Sequence, residues 1–75
     1  MQEKVLQIIN QIRINNQLEK IGIINEKDDL RNDIGLNSFD LAELTVRIED
    51  EFDVDIFEDG IVSTVGEILK KLNIQ

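Results

Sequence analysis

The sequence predicts a small all-α domain, and three observations predict it. Apolar residues recur at helical spacing in three separate stretches, and the one alternating run, Asp53 to Ile56, is short and has no partner strand. The third is size: 75 residues, 41% of them hydrophobic, suit one globular domain spanning 1–75. A chain of this length buries only about 60–65% of the surface its unfolded form exposes, so a deep, self-contained active-site cleft is not expected.

In chain order, Val5, Ile8, Ile9 and Ile12 define the first helix, Leu6 and Ile14 widen its apolar stripe, and Asn15-Asn16 is a plausible end. Between about residues 17 and 36 the period weakens, while Leu18, Ile21, Ile23, Ile24, Leu30, Ile34 and Leu36 remain as apolar anchors. This reads as a long packed loop with a helical turn around Glu26 to Leu30. Loops of such length are uncommon in compact domains and tend to be functional or disordered; the regular apolar content argues against disorder. The second helix runs from Ser38 to Phe52, with Leu41, Leu44, Ile48 and Phe52 on one stripe and acidic residues around much of the rest. Asp53 to Ile56 is a linker anchored by Ile56, followed by a short helical turn at about Glu58 to Val62. Thr64 and Glu67 have the spacing of a capping box, and Val65, Ile68, Leu69 and Leu72 define the last helix.

Composition removes whole classes of chemistry. There is no Cys, His, Trp, Tyr or Pro, which excludes a disulfide framework, a thiolate nucleophile, the usual zinc ligands and any triad built on histidine. An independent enzyme is therefore not expected, no metal site is predicted, and any thiol chemistry must be imported. Sixteen acidic against eight basic residues give a net charge of −8, which disfavours nucleic acid and anionic membrane surfaces and favours partners with basic patches. No segment approaches the roughly 20 apolar residues of a membrane span, and the N-terminus has no basic stretch leading into an apolar run, so a cytoplasmic protein is expected. Lys4, Lys20, Lys70 and Lys71 need no functional explanation, the last two being favourably placed at a helix C-terminus.

One position stands apart. Asn37 and Ser38 precede an acidic first turn, and either residue type there is ordinarily a helix cap. The long loop, however, delivers Asp33-Ile34-Gly35-Leu36 to this serine, and Gly35 permits a tight turn just before it. The run Asp33 to Asp40, continuing through Glu43-Leu44 to Ile48-Glu49-Asp50-Glu51-Phe52-Asp53-Val54-Asp55-Ile56, closely resembles the acyl carrier proteins in order and spacing. The flanking helices agree in length and pattern.

The resemblance implies a small four-helix bundle of acyl-carrier type, three main helices plus one short one, in which Ser38 receives 4′-phosphopantetheine from coenzyme A. A separate magnesium-dependent phosphopantetheinyl transferase, a holo-carrier-protein synthase, would perform the transfer. The arm would bring a thiol to a thiol-free chain and carry acyl or related intermediates as thioesters, while the domain itself catalyses nothing. Carried over residue by residue, Asp40, Glu43, Glu49 and Asp50 would form an acidic docking face, with Phe39 and Val46 as apolar contacts. The partners would be the transferase and acyl-transferring, condensing or ligase enzymes with basic patches, met by a monomer. The family usually has Asp before its serine and Leu or Met after it. Asn37 and Phe39 depart from that pattern, and Arg47 adds a positive charge to the acidic helix. These leave room for a specialised pathway (polyketide, sugar-modifying or aminoacyl) beside fatty-acid biosynthesis.

Other readings stay open at this stage. The apolar stripes of Leu44, Ile48 and Ile68 either part to shelter an acyl chain or form a close-packed core. Asp55, Asp59 and Gly60 fit the first, fifth and sixth positions of a calcium loop, but Phe57 and Gly66 stand where ligand oxygens are needed. A small acidic interaction module, in which Ser38 caps the helix or is phosphorylated, uses the same residues.

Overall fold

Helix α1 covers Gln2–Asn15, and its burial follows the predicted stripe: Val5, Ile9 and Ile12 are fully buried, with Leu6 and Ile8 packed at the core's edge. Ile14 does not widen it, being 42% exposed. The helix ends in a Schellman arrangement: Gln17 takes the left-handed conformation (φ 66), its N–H bonds Ile14 O and the N–H of Leu18 bonds Arg13 O, both at 2.9 Å. These elements come from a computed structural model that describes residues 2–58 and 60–73.

Helix α2 spans Ser38–Phe52, as the periodicity predicts, and buries Leu44 and Ile48, with Leu41 and Phe52 packed beside them. It stops where Asp53 adopts a left-handed conformation and donates its N–H to Glu49 O. Two contacts fix its direction against α1. Lys4, early in α1, meets Glu51, late in α2, at 3.3 Å, while Asn16, just past α1, donates to Asp40 in the first turn of α2 at 2.8 Å. The two helices are therefore antiparallel neighbours. The Lys4–Glu51 pair is half exposed and contributes about 0–1 kcal/mol, so the buried apolar faces supply the attachment.

The loop between them belongs to the core. Ile24, Leu30, Ile34 and Leu36 are all at most 5% exposed, whereas Leu18 and Ile23, also expected as anchors, face solvent. Two α1 side chains hold its backbone: the Asn10 amide exchanges two hydrogen bonds with Ile21 (2.9 and 2.8 Å), and Arg13 donates to Glu19 O at 2.9 Å and to Ile34 O. Gly35 makes the final bend at φ 85, where a Cβ would stand 3.4 Å from the Arg13 guanidinium. At the helical turn expected around Glu26 to Leu30 a single turn closes, with Asp28 N–H on Asn25 O at 3.0 Å, and a second, helical turn follows at 29–33. Asp33 N–H bonds Asp29 O at 2.9 Å, and the Asp29 carboxylate accepts from Arg31 and Asn32 N–H at 2.9 and 2.8 Å. Aspartate at the head of such a turn supplies acceptors that the backbone lacks, a local signal outweighed in the sequence by the weak apolar spacing.

Helix α3 covers Val65–Lys71 and buries Val65, Ile68 and Leu69. Thr64 is its N-cap, accepting from Glu67 N–H at 3.3 Å, but the return bond of the expected box is displaced: Glu67 accepts from Ser63 N–H, not from Thr64 N–H. Backbone bonds from Leu30 N–H to Ser63 O and from Val65 and Gly66 N–H to Asp28 and Glu26 O fasten the loop to the start of α3. A short helix between α2 and α3, expected at about Glu58 to Val62, is not formed among the described residues; Asp59 lies outside them. Instead a turn follows Asp55, with Phe57 N–H on its carboxylate at 2.9 Å, and Ile56 and Val62 are buried on either side. The described architecture is three helices with no strand, only an isolated bridge between Asp29 and Thr64.

Candidate functional site

The start of α2 is built by its neighbours, leaving the serine out. Asn37, in extended conformation (φ −95, ψ −175), is the N-cap: its side-chain oxygen accepts from Asp40 N–H at 2.9 Å, and the Asp40 carboxylate accepts from Asn37 N–H at 3.0 Å. This is a complete capping box one residue ahead of Ser38, so of the two residues expected as possible caps it is Asn37 that caps the helix. Asn and Asp are comparable N-caps, which is why the departure from the family's aspartate costs the helix little.

Ser38 is consequently the first helical residue, exposed, with its Oγ not committed to the helix. Its hydrogen-bond partner is the guanidinium of Arg31, which reaches across from the turn at 29–33. Ser38 and Arg31 both line a cavity of about 410 Å³, whose apolar wall includes Leu30, Leu41, Phe57, Ile61 and Val62. Arg31 is the residue the sequence reading missed. Its signal is a cation seven positions ahead of the serine, which acquires meaning only once the intervening turn is known to fold back.

The other singled-out residues divide. Phe39, Glu43, Val46 and Asp50 fall at i, i+4, i+7 and i+11, a single stripe opposite Leu41, Leu44 and Ile48. Phe39 and Val46 on this stripe are 87% and 66% exposed, and Glu49 and Asp50 are exposed beside them. Glu43 is half buried and accepts from Arg47 at 2.7 Å, so the unexpected cation on this helix neutralises one of the expected docking charges. Asp40 requires a correction. At 6% exposure, and accepting from Asn37 N–H and the Asn16 amide, its carboxylate belongs to the fold and is not offered to a partner.

Leu44, Ile48 and Ile68, considered above as parting walls for an acyl chain, are fully buried in the common core. An open groove with an apolar wall lies beside Ser38. At the calcium-loop candidate, Asp55 accepts from Phe57 N–H, and Asp59 lies outside the described residues. Among the described residues no group of three or more candidate side chains is placed to hold a metal ion, and no helix is long and apolar enough to cross a membrane.

A covalently held arm requires an exposed hydroxyl whose oxygen no backbone group uses, on an element rigid enough to present it. Ser38 on the capped end of α2 meets both requirements. A small helical scaffold with an exposed serine at the head of an acid-rich helix suits a carrier domain. The chain belongs to the phosphopantetheine attachment site family, whose model matches residues 5–72, and it is a phosphopantetheine carrier protein. The family binds 4′-phosphopantetheine covalently, and its carrier domains are generally non-catalytic. Comparison with solved structures gives no match.

Proposed function

We propose that residues 1–75 form one acyl-type carrier domain in which Ser38 holds phosphopantetheine and presents thioester-linked intermediates to a succession of enzymes. The observation that carries this is the division of labour at the start of α2: Asn37 and Asp40 cap the helix, and the exposed Ser38 Oγ is left available. The arm supplies, when attached, a thiol at the end of a flexible tether, in a chain with no cysteine of its own. In the loading reaction the Ser38 Oγ forms a bond to phosphorus as the pyrophosphate bond of coenzyme A breaks. The nucleotide leaves, and the hydroxyl proton passes to the transferase, since this chain places no histidine near it.

Docking would use the exposed stripe of α2. Phe39 and Val46 supply apolar anchors, Glu49 and Asp50 the local negative charge, and Glu43 contributes in so far as a partner displaces Arg47. The net charge of −8 steers basic partners over distance, an effect that falls as salt rises. The reading places the protein in the cytoplasm, with thioester cargo of fatty-acid type or of a specialised polyketide, sugar-modifying or aminoacyl pathway. Incubating the purified protein with coenzyme A, magnesium and a broad-specificity transferase, then weighing intact wild type and Ser38→Ala, tests it. The wild type should gain the mass of one arm and the variant none; equal gain on both would place the attachment elsewhere.

A further inference from the structure

We infer that Arg31 is a binding residue for the phosphodiester of the attached arm, fixing the arm's first segment beside the cavity lined by Leu41, Phe57, Ile61 and Val62. The inference rests on Ser38 being the attachment point and goes beyond it, because it assigns a role to a side chain outside the attachment sequence.

Three observations carry it. The first is contact: the Arg31 guanidinium already donates to Ser38 Oγ. On loading, that oxygen becomes an ester oxygen, a poorer acceptor, and a phosphorus bearing two non-bridging oxygens and one negative charge stands one bond beyond it. The guanidinium fork matches such a pair of oxygens, so a small rotation exchanges a single hydroxyl contact for a charge-assisted, two-point one.

The second is that the backbone carrying Arg31 is held on both sides. Asp29 N–H bonds the Asp33 carboxylate at 2.7 Å, Arg31 N–H bonds the Asp29 carboxylate at 2.9 Å, and Leu30 N–H bonds Ser63 O at 2.8 Å. Only the side chain has to be ordered, which keeps the entropic cost of the contact low.

The third is charge. Asp29, Asp33 and Asp40 crowd this end of the molecule, in a chain of net charge −8, and a newly attached anion would be repelled there. The carboxylates of all three accept backbone N–H bonds, whereas Arg31 presents a cation directly at the oxygen where the anion is attached. Since Arg31 and Ser38 line the same cavity, pinning the phosphate there starts the arm along its apolar wall instead of into solvent.

The test uses wild type, Arg31→Gln and Arg31→Lys, each treated with coenzyme A and transferase, weighed intact, and examined by phosphorus NMR and by the Nε–Hε signal of Arg31. Arg31 is exposed, and amide dispersion checks that the variants fold. In holo wild type the phosphorus resonance should be broader than in holo Arg31→Gln and displaced from it by more than a linewidth, with Arg31→Lys between. The difference should shrink as salt rises to about 1 M, where the screening length falls to about 3 Å. The Arg31 Nε–Hε signal of the wild type should move on loading. Mass gain with identical phosphorus signals in wild type and Arg31→Gln overturns the inference and leaves the carrier reading intact, as does an unmoved Nε–Hε signal where a variant resists loading. Absence of mass gain on the wild type overturns both.

Discussion

Replacing Asp40 with Ala distinguishes a carboxylate that serves the fold from one that serves a partner. Its Oδ2 accepts from Asn37 N–H at 3.0 Å and from the Asn16 amide at 2.8 Å, and the residue is 6% exposed. A hydrogen bond to a charged group contributes about 1.5–3 kcal/mol, the two bonds share one oxygen and do not add fully, and alanine returns about 0.5 kcal/mol of helix propensity. The net expectation is a loss of about 2–4 kcal/mol, which lowers the melting midpoint of a domain this size by at least about 8 °C. Asp40→Asn keeps an acceptor oxygen in place and should lose about half as much or less. Urea and thermal denaturation measure both, and arm loading at a temperature where each variant is folded should change little. An Asp40→Ala protein that melts within about 2 °C of wild type, yet loads or docks poorly, would refute the capping account and restore the residue to the docking face.

Gly35→Ala should destabilise the domain by about 1–2 kcal/mol, because φ 85 is costly for any residue with a Cβ. Gly22→Ala, where a Cβ meets nothing within 4 Å, should be neutral or stabilise by up to about 1 kcal/mol; the pair is compared by urea midpoint. Gly66→Ala should destabilise despite better helix propensity, since its Cβ would lie 2.9 Å from Glu26 O and force apart the junction of loop and α3, visible as loss of amide protection at Val65 and Gly66. Asn37→Asp should leave stability within about 0.5 kcal/mol, so that any change in its loading rate by a transferase reports recognition of the charge.

The helices were legible because each carries its own pattern: α2 begins and ends where the period of Leu41, Leu44 and Ile48 says it should, and Thr64 announces α3. Ile14 shows the limit of periodicity. At about 100° per residue it lies on the side of α1 opposite Val5, Ile9 and Ile12, so an apolar residue near the stripe in sequence is not on it, and it stays 42% exposed. The segment from 17 to 36 was legible as packed but not in path, because that path depends on Asn10, Arg13 and the edge of α3, all distant in sequence. Asp40 was misjudged for a related reason. An acidic residue in a first turn suits both a docking surface and a capping box, and only Asn16, closing over it from just past the end of α1, separates the two.

If Ser38 holds the arm as proposed, the same separation lets so small a chain carry the modification without destabilising the helix that bears it. A serine that caps a helix has its oxygen bound to a backbone N–H, and esterifying that oxygen would set the attached group against the cap, worth about 1 kcal/mol, at the moment of loading. Moving the cap to Asn37 and Asp40 removes this conflict, because both capping bonds survive whatever is attached to the next residue. The rigid end of α2 then holds Ser38 in place while its Oγ, touched by Arg31 from the surface, can change chemistry without changing the fold. Burying Asp40 and exposing Ser38 are thus two consequences of one register choice. Shifting the cap by a single residue, as Asn37→Ala with Ser38 capping in its place would do, should lower stability and loading together, whereas Ser38→Ala should abolish loading and leave the melting midpoint within about 4 °C of wild type.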